Sequence, residues 1–292
     1  MFSHSLKKFG DWVKKRTRKI TFGMYFVVTI IVFAILILVS DRNSVFSVNG
    51  ETQSLSIAMT NNEINQWVFH HGMLFSPWQL DNSIELDDEQ TFTLEAGTKV
   101  TATVSQQADV AVAILTFRNE QGAVGTLENG NEKLILNDYA ELTLNSATSA
   151  TFPFDGQAFI GEDVGKDVSS LLLNGEVRIL EKQLMSSKRY LGDVYQLNMG
   201  DRVYIESGDM AVISKGFFRF PVNDAIYFSI TSEGDQVNVE RFGSSRLTLT
   251  PSFWSRMISD PFVAALTSTL ALIFLLMEFA LVFIQIIRKD PA

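Results

Sequence analysis

Apolar positions change their period twice along the chain. In 21–39 (TFGMYFVVTIIVFAILILV) and in 262–287 (FVAALTSTLALIFLLMEFALVFIQII) they run almost without interruption. Between those runs they alternate with polar residues in short stretches such as TFTL, KVTATV, DVAVAILTF, AELTL, DRVYI, AIYFSIT and QVNVERF. An apolar run of about 20 residues matches the hydrocarbon thickness of a bilayer. Strict alternation marks strands with one buried face. The pattern predicts a membrane protein in which two transmembrane α-helices, 21–39 and 262–287, flank a mostly-β, sandwich-like extracytoplasmic domain. Turn signals such as ENGN, NGE and SEGD between the short strands favour a sandwich over a βαβ fold.

A cleaved signal peptide is the competing reading of the first run. The run is too long for one, and LVSDRNS offers no A-x-A-like cleavage site. Within the β region one segment departs from alternation. TNNEINQWVFHHGML has a capping residue in Thr60 or Asn61 and an acid, Glu63, in what would be its first turn, and predicts a helix.

Charge orients the two spans. Residues 1–20 carry seven basic side chains against one acid, Asp11, and Arg288 and Lys289 follow the second run. Basic flanks stay in the cytoplasm, so both termini are expected there. Trp254, beside Phe253, precedes the second run where an interfacial aromatic belt belongs. Phe2, Leu6, Phe9 and Val13 recur at helical spacing with Trp12 beside them, and Lys14, Lys15 and Arg16 add to the basic character. That is the pattern of a helix lying on the bilayer, amines toward anionic headgroups. A docking peptide for a cytoplasmic partner, or a plain topology signal, would look similar.

These boundaries divide the chain into a basic amphipathic segment (1–20), a first span (21–39), a first β module (40–160), a second (161–258), a second span (262–287) and a short tail (288–292). The two modules rest on a repeat. Leu94, Gly97, Lys99 and Val100 match Leu197, Gly200, Arg202 and Val203, the turn at Gly130 matches that at Gly234, and Leu142-Thr143-Leu144 matches Leu247-Thr248-Leu249. The offsets of 103, 104 and 105 residues drift as single-residue turn insertions would make them. Asp109-x-Ala111-Val112 and Asp209-x-Ala211-Val212 break the trend with an offset of 100.

Composition narrows the chemistry. There is no cysteine, which excludes disulfides and thiolate metal sites. Residues 41–260 hold 15 basic and 30 acidic side chains, a charge that repels nucleic acid. The lack of cysteine and of any N-x-S/T site there fits a bacterial inner-membrane protein facing the periplasm. No phosphate-binding loop, nucleophile elbow, dinucleotide fingerprint or H-E-x-x-H occurs. His70 and His71 lie in an aromatic stretch and are expected to pack within it. The acidic run Asp81, Glu85, Asp87, Asp88 and Glu89 lacks the spacing of a calcium loop and reads as a solvated turn.

Glu278 stands apart, because a carboxyl within a span costs about 2.5–3.5 kcal/mol and calls for a partner. Helical spacing places Phe274, Leu281 and Gln285 on its face, so Glu278 and Gln285 are the candidate contact to another subunit or protein. The expectation is a non-enzymatic accessory, scaffold or adaptor subunit, with no catalytic residue, cofactor or metal. Its partners would be the lipid bilayer, another membrane or periplasmic protein, and a further copy of the chain. A membrane anchor recruiting a cytoplasmic assembly through residues 1–20, and an oligomeric transporter or channel subunit using Glu278, are the alternatives.

Overall fold

The computed structural model describes residues 23, 27, 29–30, 34, 44–60, 64–77, 83–86, 89–107, 110–129, 132–145, 150–161, 172–183, 186–207, 210–220, 225–241 and 246–289. Two compact units divide the chain: Asn43–Ser255, and Met1–Arg42 with Arg256–Ala292. The first is built of strands. In chain order they are β1 (Ser44–Thr52), β2 (Ser54–Met59), β3 (Gln66–Phe69), β4 (Gly72–Phe75), β5 (Ser83–Leu86), β6 (Gln90–Leu94), β7 (Lys99–Gln107), β8 (Val110–Arg118), β9 (Gly125–Asn129) and β10 (Glu132–Leu136). Then follow β11 (Tyr139–Asn145), β12 (Ala150–Ile160), β13 (Leu172–Lys182), β14 (Arg189–Leu197), β15 (Arg202–Ser207), β16 (Met210–Ala211), β17 (Ser214–Phe220), β18 (Ile226–Gly234), β19 (Gln236–Glu240) and β20 (Leu247–Leu249).

The large sheet runs β14-β13-β1-β18-β17-β12-β2-β7-β8-β11-β4-β5, with β15, β16, β19 and β20 branching from β12, and a small sheet runs β10-β9-β6-β3. Pairing among the described strands is antiparallel throughout. The small sheet lies on the large one through aromatic rings. Trp67 of β3 meets Phe117 of β8 (5.9 Å between centroids), Phe152 of β12 (4.9 Å) and Phe218 of β17 (5.6 Å). Phe92 of β6 meets Phe117 edge-on at 4.9 Å. All five rings are fully buried, and the indole N–H of Trp67 donates to the Pro153 carbonyl at 2.7 Å, so the core's largest side chain leaves no polar atom unpaired. The domain is thus β-rich, with its two sheets in contact through one aromatic layer.

The helix expected at 60–74 does not form over the described part of that segment. Residues 66–69 and 72–75 are the strands β3 and β4, and 61–63 lie outside the described residues. Burial decides the outcome. Trp67 and Phe69 face the core while Gln66 and Val68 face outward, a period of two that a helix cannot satisfy. The chain reverses at His70-His71, where His71 takes a left-handed φ of 57° that histidine tolerates better than most residues. Both histidines are exposed there, so they do not pack within the aromatic cluster.

Strands from the two halves of the sequence are interleaved. β1 comes first, yet it sits between β13 and β18, with Val48 opposite Val177 on one side and Ile230 on the other. β12 is shared as well. Ala150–Gly156 pairs with β17, and at Gly156 the register passes to β2. A Cβ at Gly156 would lie 2.3 Å from the Ala58 carbonyl oxygen, so only glycine allows this close crossing.

Some local features recur at the repeat offset. Gly97 and Gly200 have positive φ (86° and 82°), and each closes a turn in which the following N–H bonds back three residues, Thr98 to Glu95 and Asp201 to Asn198. Val100 then pairs with Ile57 as Val203 pairs with Ile160. β7 pairs with β8 out to Gln107 opposite Val110, as β15 pairs with β16 out to Ser207 opposite Met210. The likeness stops at the next strands. β9 and β10 form a hairpin, whereas β18 pairs with β1 and β17, and β19 pairs with β15 and β20.

After β20 come a short helix, Phe253–Ser259, and a long one, Pro261–Lys289. In the first apolar run the described positions Gly23, Val27, Thr29, Ile30 and Ala34 are helical.

Candidate membrane-facing site

The long helix starts where its sequence says it must. Pro261 occupies the first position, where a missing N–H costs nothing, and the Asp260 carboxylate accepts the Phe262 N–H at 2.7 Å. The negative charge also suits a helix N-terminus. Asp260 joins the helices as well as capping one. Its N–H donates to the Arg256 carbonyl and its carbonyl accepts the Ala264 N–H, each at 3.0 Å. The short helix has its own cap, Ser252 Oγ, which accepts the Ser255 N–H at 3.2 Å.

Within this helix Pro261–Ala280 is long and apolar enough to cross a membrane, and it is the one such helix among the described residues. Leu272, Ile273, Leu275, Leu276, Phe279, Val282 and Phe283 are all exposed and together span about half of the helix surface, while Val263 on the opposite side is buried. Leaving seven such side chains in water forgoes on the order of 10–20 kcal/mol of transfer free energy. That is as much as the whole stability of an ordinary domain, about 5–15 kcal/mol. A non-aqueous environment removes the penalty.

The hydroxyls near the start of the helix are satisfied within it. Thr267 donates to the Val263 carbonyl at 2.9 Å, Ser268 to Ala264 at 2.7 Å and Thr269 to Ala265 at 2.8 Å. Such back-bonding lets hydroxyls sit in an apolar segment. Glu278 is exposed on the same helix, one turn beyond the exposed Phe274. Gln285 continues the helix two turns on, with its side chain outside those described. Trp254 projects from the short helix, 62% exposed, with Phe253 edge-on to it at 5.5 Å. Phe2, Leu6, Phe9, Trp12, Val13, Lys14, Lys15 and Arg16 lie outside the described residues.

The β domain offers one polar constellation that pattern reading missed. Glu206 of β15 accepts from Asn238 (2.6 Å), Arg246 (2.7 Å) and Gln236 (3.2 Å). Glu240 accepts from the Tyr204 hydroxyl (2.7 Å) and Arg202 (3.3 Å), while the Arg246 guanidinium stands 4.9 Å above the Tyr204 ring. Burial, then the bond to Glu240, pushes the Tyr204 hydroxyl up to about 12. Alternate polar positions on β15 and β19 were visible in DRVYIES and QVNVE. Their cross-strand register, which brings Tyr204 opposite Asn238, was not. The donors and acceptors here satisfy one another, so the cluster ties down β15, β19 and the start of β20. Of the acidic run, Glu85 lies in β5 and Glu89 just before β6, while Asp81, Asp87 and Asp88 are outside the described residues. No group of three or more His, Cys, Asp or Glu is arranged to hold a metal among the described residues.

No protein-family model, curated protein or solved structure matches the chain.

Proposed function

We propose that the chain is a membrane-anchored, non-enzymatic accessory or scaffold protein. On this reading 21–39 and 262–287 both span a bacterial inner membrane, both termini are cytoplasmic, and Asn43–Ser255 is a periplasmic domain that contacts a partner. The observation that carries it is the helix Pro261–Lys289, apolar almost without interruption, with a broad exposed apolar face from Leu272 to Phe283, and joined through Asp260 to the segment that follows β20. The basic flanks at 7–19 and 288–289 supply the orientation. A β domain with a dense aromatic core and a self-satisfied polar cluster suits contact better than turnover.

Alkaline phosphatase fused at residue 150 and at the C-terminus tests the topology: activity in the middle and silence at the tail is expected, and the reverse overturns it. Gentle detergent purification with and without residues 43–255 tests the function. Loss of co-purifying protein on deletion is expected, and a partner retained by the helices alone rules out the domain as the contact surface. Glu278 extends the reading to contacts within the bilayer, because a carboxyl exposed on a span is stabilised by a polar group from another helix.

A further inference from the structure

The short helix was not foreseen, and its exposed face has a definite chemistry. Trp254 is 62% exposed and Ile258 78% exposed, one turn apart and so on one face. Phe262, one turn further, is also exposed and carries that ridge into the apolar surface of the long helix. Besides the apolar Phe253 and Met257, polar residues that do not suit hydrocarbon, Ser252, Ser255, Arg256, Ser259 and Asp260, interleave with the apolar ones. Arg256 lies about 200° around the helix from Trp254, on the far side. An apolar ridge bearing tryptophan, backed by a cation and hydroxyls, matches the boundary between headgroups and acyl chains, not the bilayer centre.

The junction allows the two helices to lie in different layers. Pro261 has no N–H to give, and the Phe262 N–H is taken by the Asp260 side chain instead of by the preceding turn. The backbone ladder is thus interrupted where the apolar run begins, while Asp260 keeps the two ends joined.

We propose that Phe253–Ser259 is a separate membrane-docking element lying in the headgroup–acyl boundary of the extracytoplasmic leaflet, with Trp254 and Ile258 as its inserted side chains. The proposal rests on the reading of Pro261–Lys289 as a span. The natural chain contains no cysteine, so single labels are unique. The full-length variants Ile258→Cys, Leu275→Cys and Lys133→Cys, each carrying a bimane fluorophore, are placed in lipid nanodiscs. Each disc contains phosphatidylcholine spin-labelled at the headgroup, at acyl carbon 5 or at acyl carbon 12. Ile258 and Leu275 are exposed, and Lys133 is exposed on β10, so the labels do not disturb the core.

The expected result is at least twofold stronger quenching at 258 by the two shallow labels than by the deep one, strongest quenching at 275 by the deep one, and none at 133. No quenching at 258, with 275 quenched by the deep label, overturns the docking element and leaves the span standing. Deepest-label preference at 258 overturns it by placing the segment inside the hydrocarbon. Quenching at 133 equal to that at 258 overturns it because a whole domain face would then lie on lipid. No quenching at 275 overturns the span and the docking element together.

Discussion

In the β domain Trp67, Phe92, Phe117, Phe152 and Phe218 are completely enclosed by other side chains. In the helix Pro261–Lys289, Phe279 and Phe283 stand 68% and 64% exposed. The residue types are the same and their fates are opposite. A strand hides every second side chain against a facing sheet, so alternation plus one layer of rings suffices to bury the domain's apolar surface in its own chain. A helix apolar on all faces has no polar side to turn outward, so wherever other side chains do not cover it, as at Leu272, Phe279 and Phe283, apolar surface stands exposed. The contrast separates side chains that the fold solvates from side chains that the surroundings must solvate.

Cutting the chain at 160/161 breaks that contrast most severely. Neither 43–160 nor 161–255 is expected to fold alone, because β1 fills the gap between β13 and β18 and β12 bridges β17 and β2. Asn43–Ser255 expressed whole is expected to be soluble and β-rich by circular dichroism, while the full chain stays with detergent or lipid. A cooperatively unfolding half-domain would refute the interleaving. Next in size is Trp67→Ala, which removes the ring joining the two sheets and is expected to cost about 3–5 kcal/mol in urea unfolding. Trp254→Ala should stay within about 0.5 kcal/mol in the same assay, since its side chain faces outward. Equal losses at the two tryptophans would erase the distinction between enclosed and exposed rings.

Gly97→Ala and Gly200→Ala sharpen the comparison between halves. Each forces a Cβ onto a left-handed turn, and each is expected to cost about 1–2 kcal/mol. A large difference between them would show that the two turns are alike in shape only. The smallest effect concerns Tyr204. Its raised hydroxyl stabilises the fold fully below the ordinary tyrosine value near 10, and that contribution is lost as pH rises through about 12. Burial also raises Tyr139 and Tyr195, so absorbance titration should show several tyrosines ionising late, and Tyr204→Phe should remove one of them from the late phase. An unchanged titration would disprove the late ionisation of Tyr204.

The sequence pattern made the β character and the helix at the second apolar run readable because each follows from a local period, two or none. It misled at 60–74, where Glu63 and a capping residue imitate a helix start while Trp67 and Phe69 answer to a sheet far away in sequence. Interleaving was not readable at all. Nothing in SVFSVNGET tells β1 to leave its neighbour β2 and enter between strands more than a hundred residues later. The Tyr204 cluster was hidden for the same reason, since the residues that meet there come from 202–206, 236–240 and 246–248. Asp260 was readable only as an acid before a proline; its stitching of two helices depends on backbone bonds to Arg256 and Ala264 that no local pattern encodes.

The placement of β1 sets the order in which the domain can be made. Ser44 donates to Glu181 across 137 residues, and Ser229 to Asn49 across 180. Synthesis delivers β1 first of all the strands, yet both its edges stay unsatisfied until β13 and β18 have also emerged. Closure of that half must therefore wait for nearly the entire chain, and the nascent protein carries a naked strand through most of its production. Distant pairing of this kind slows folding and invites association with other chains, so conditions that delay completion or crowd the newborn polypeptide should lower yield before they affect the finished molecule.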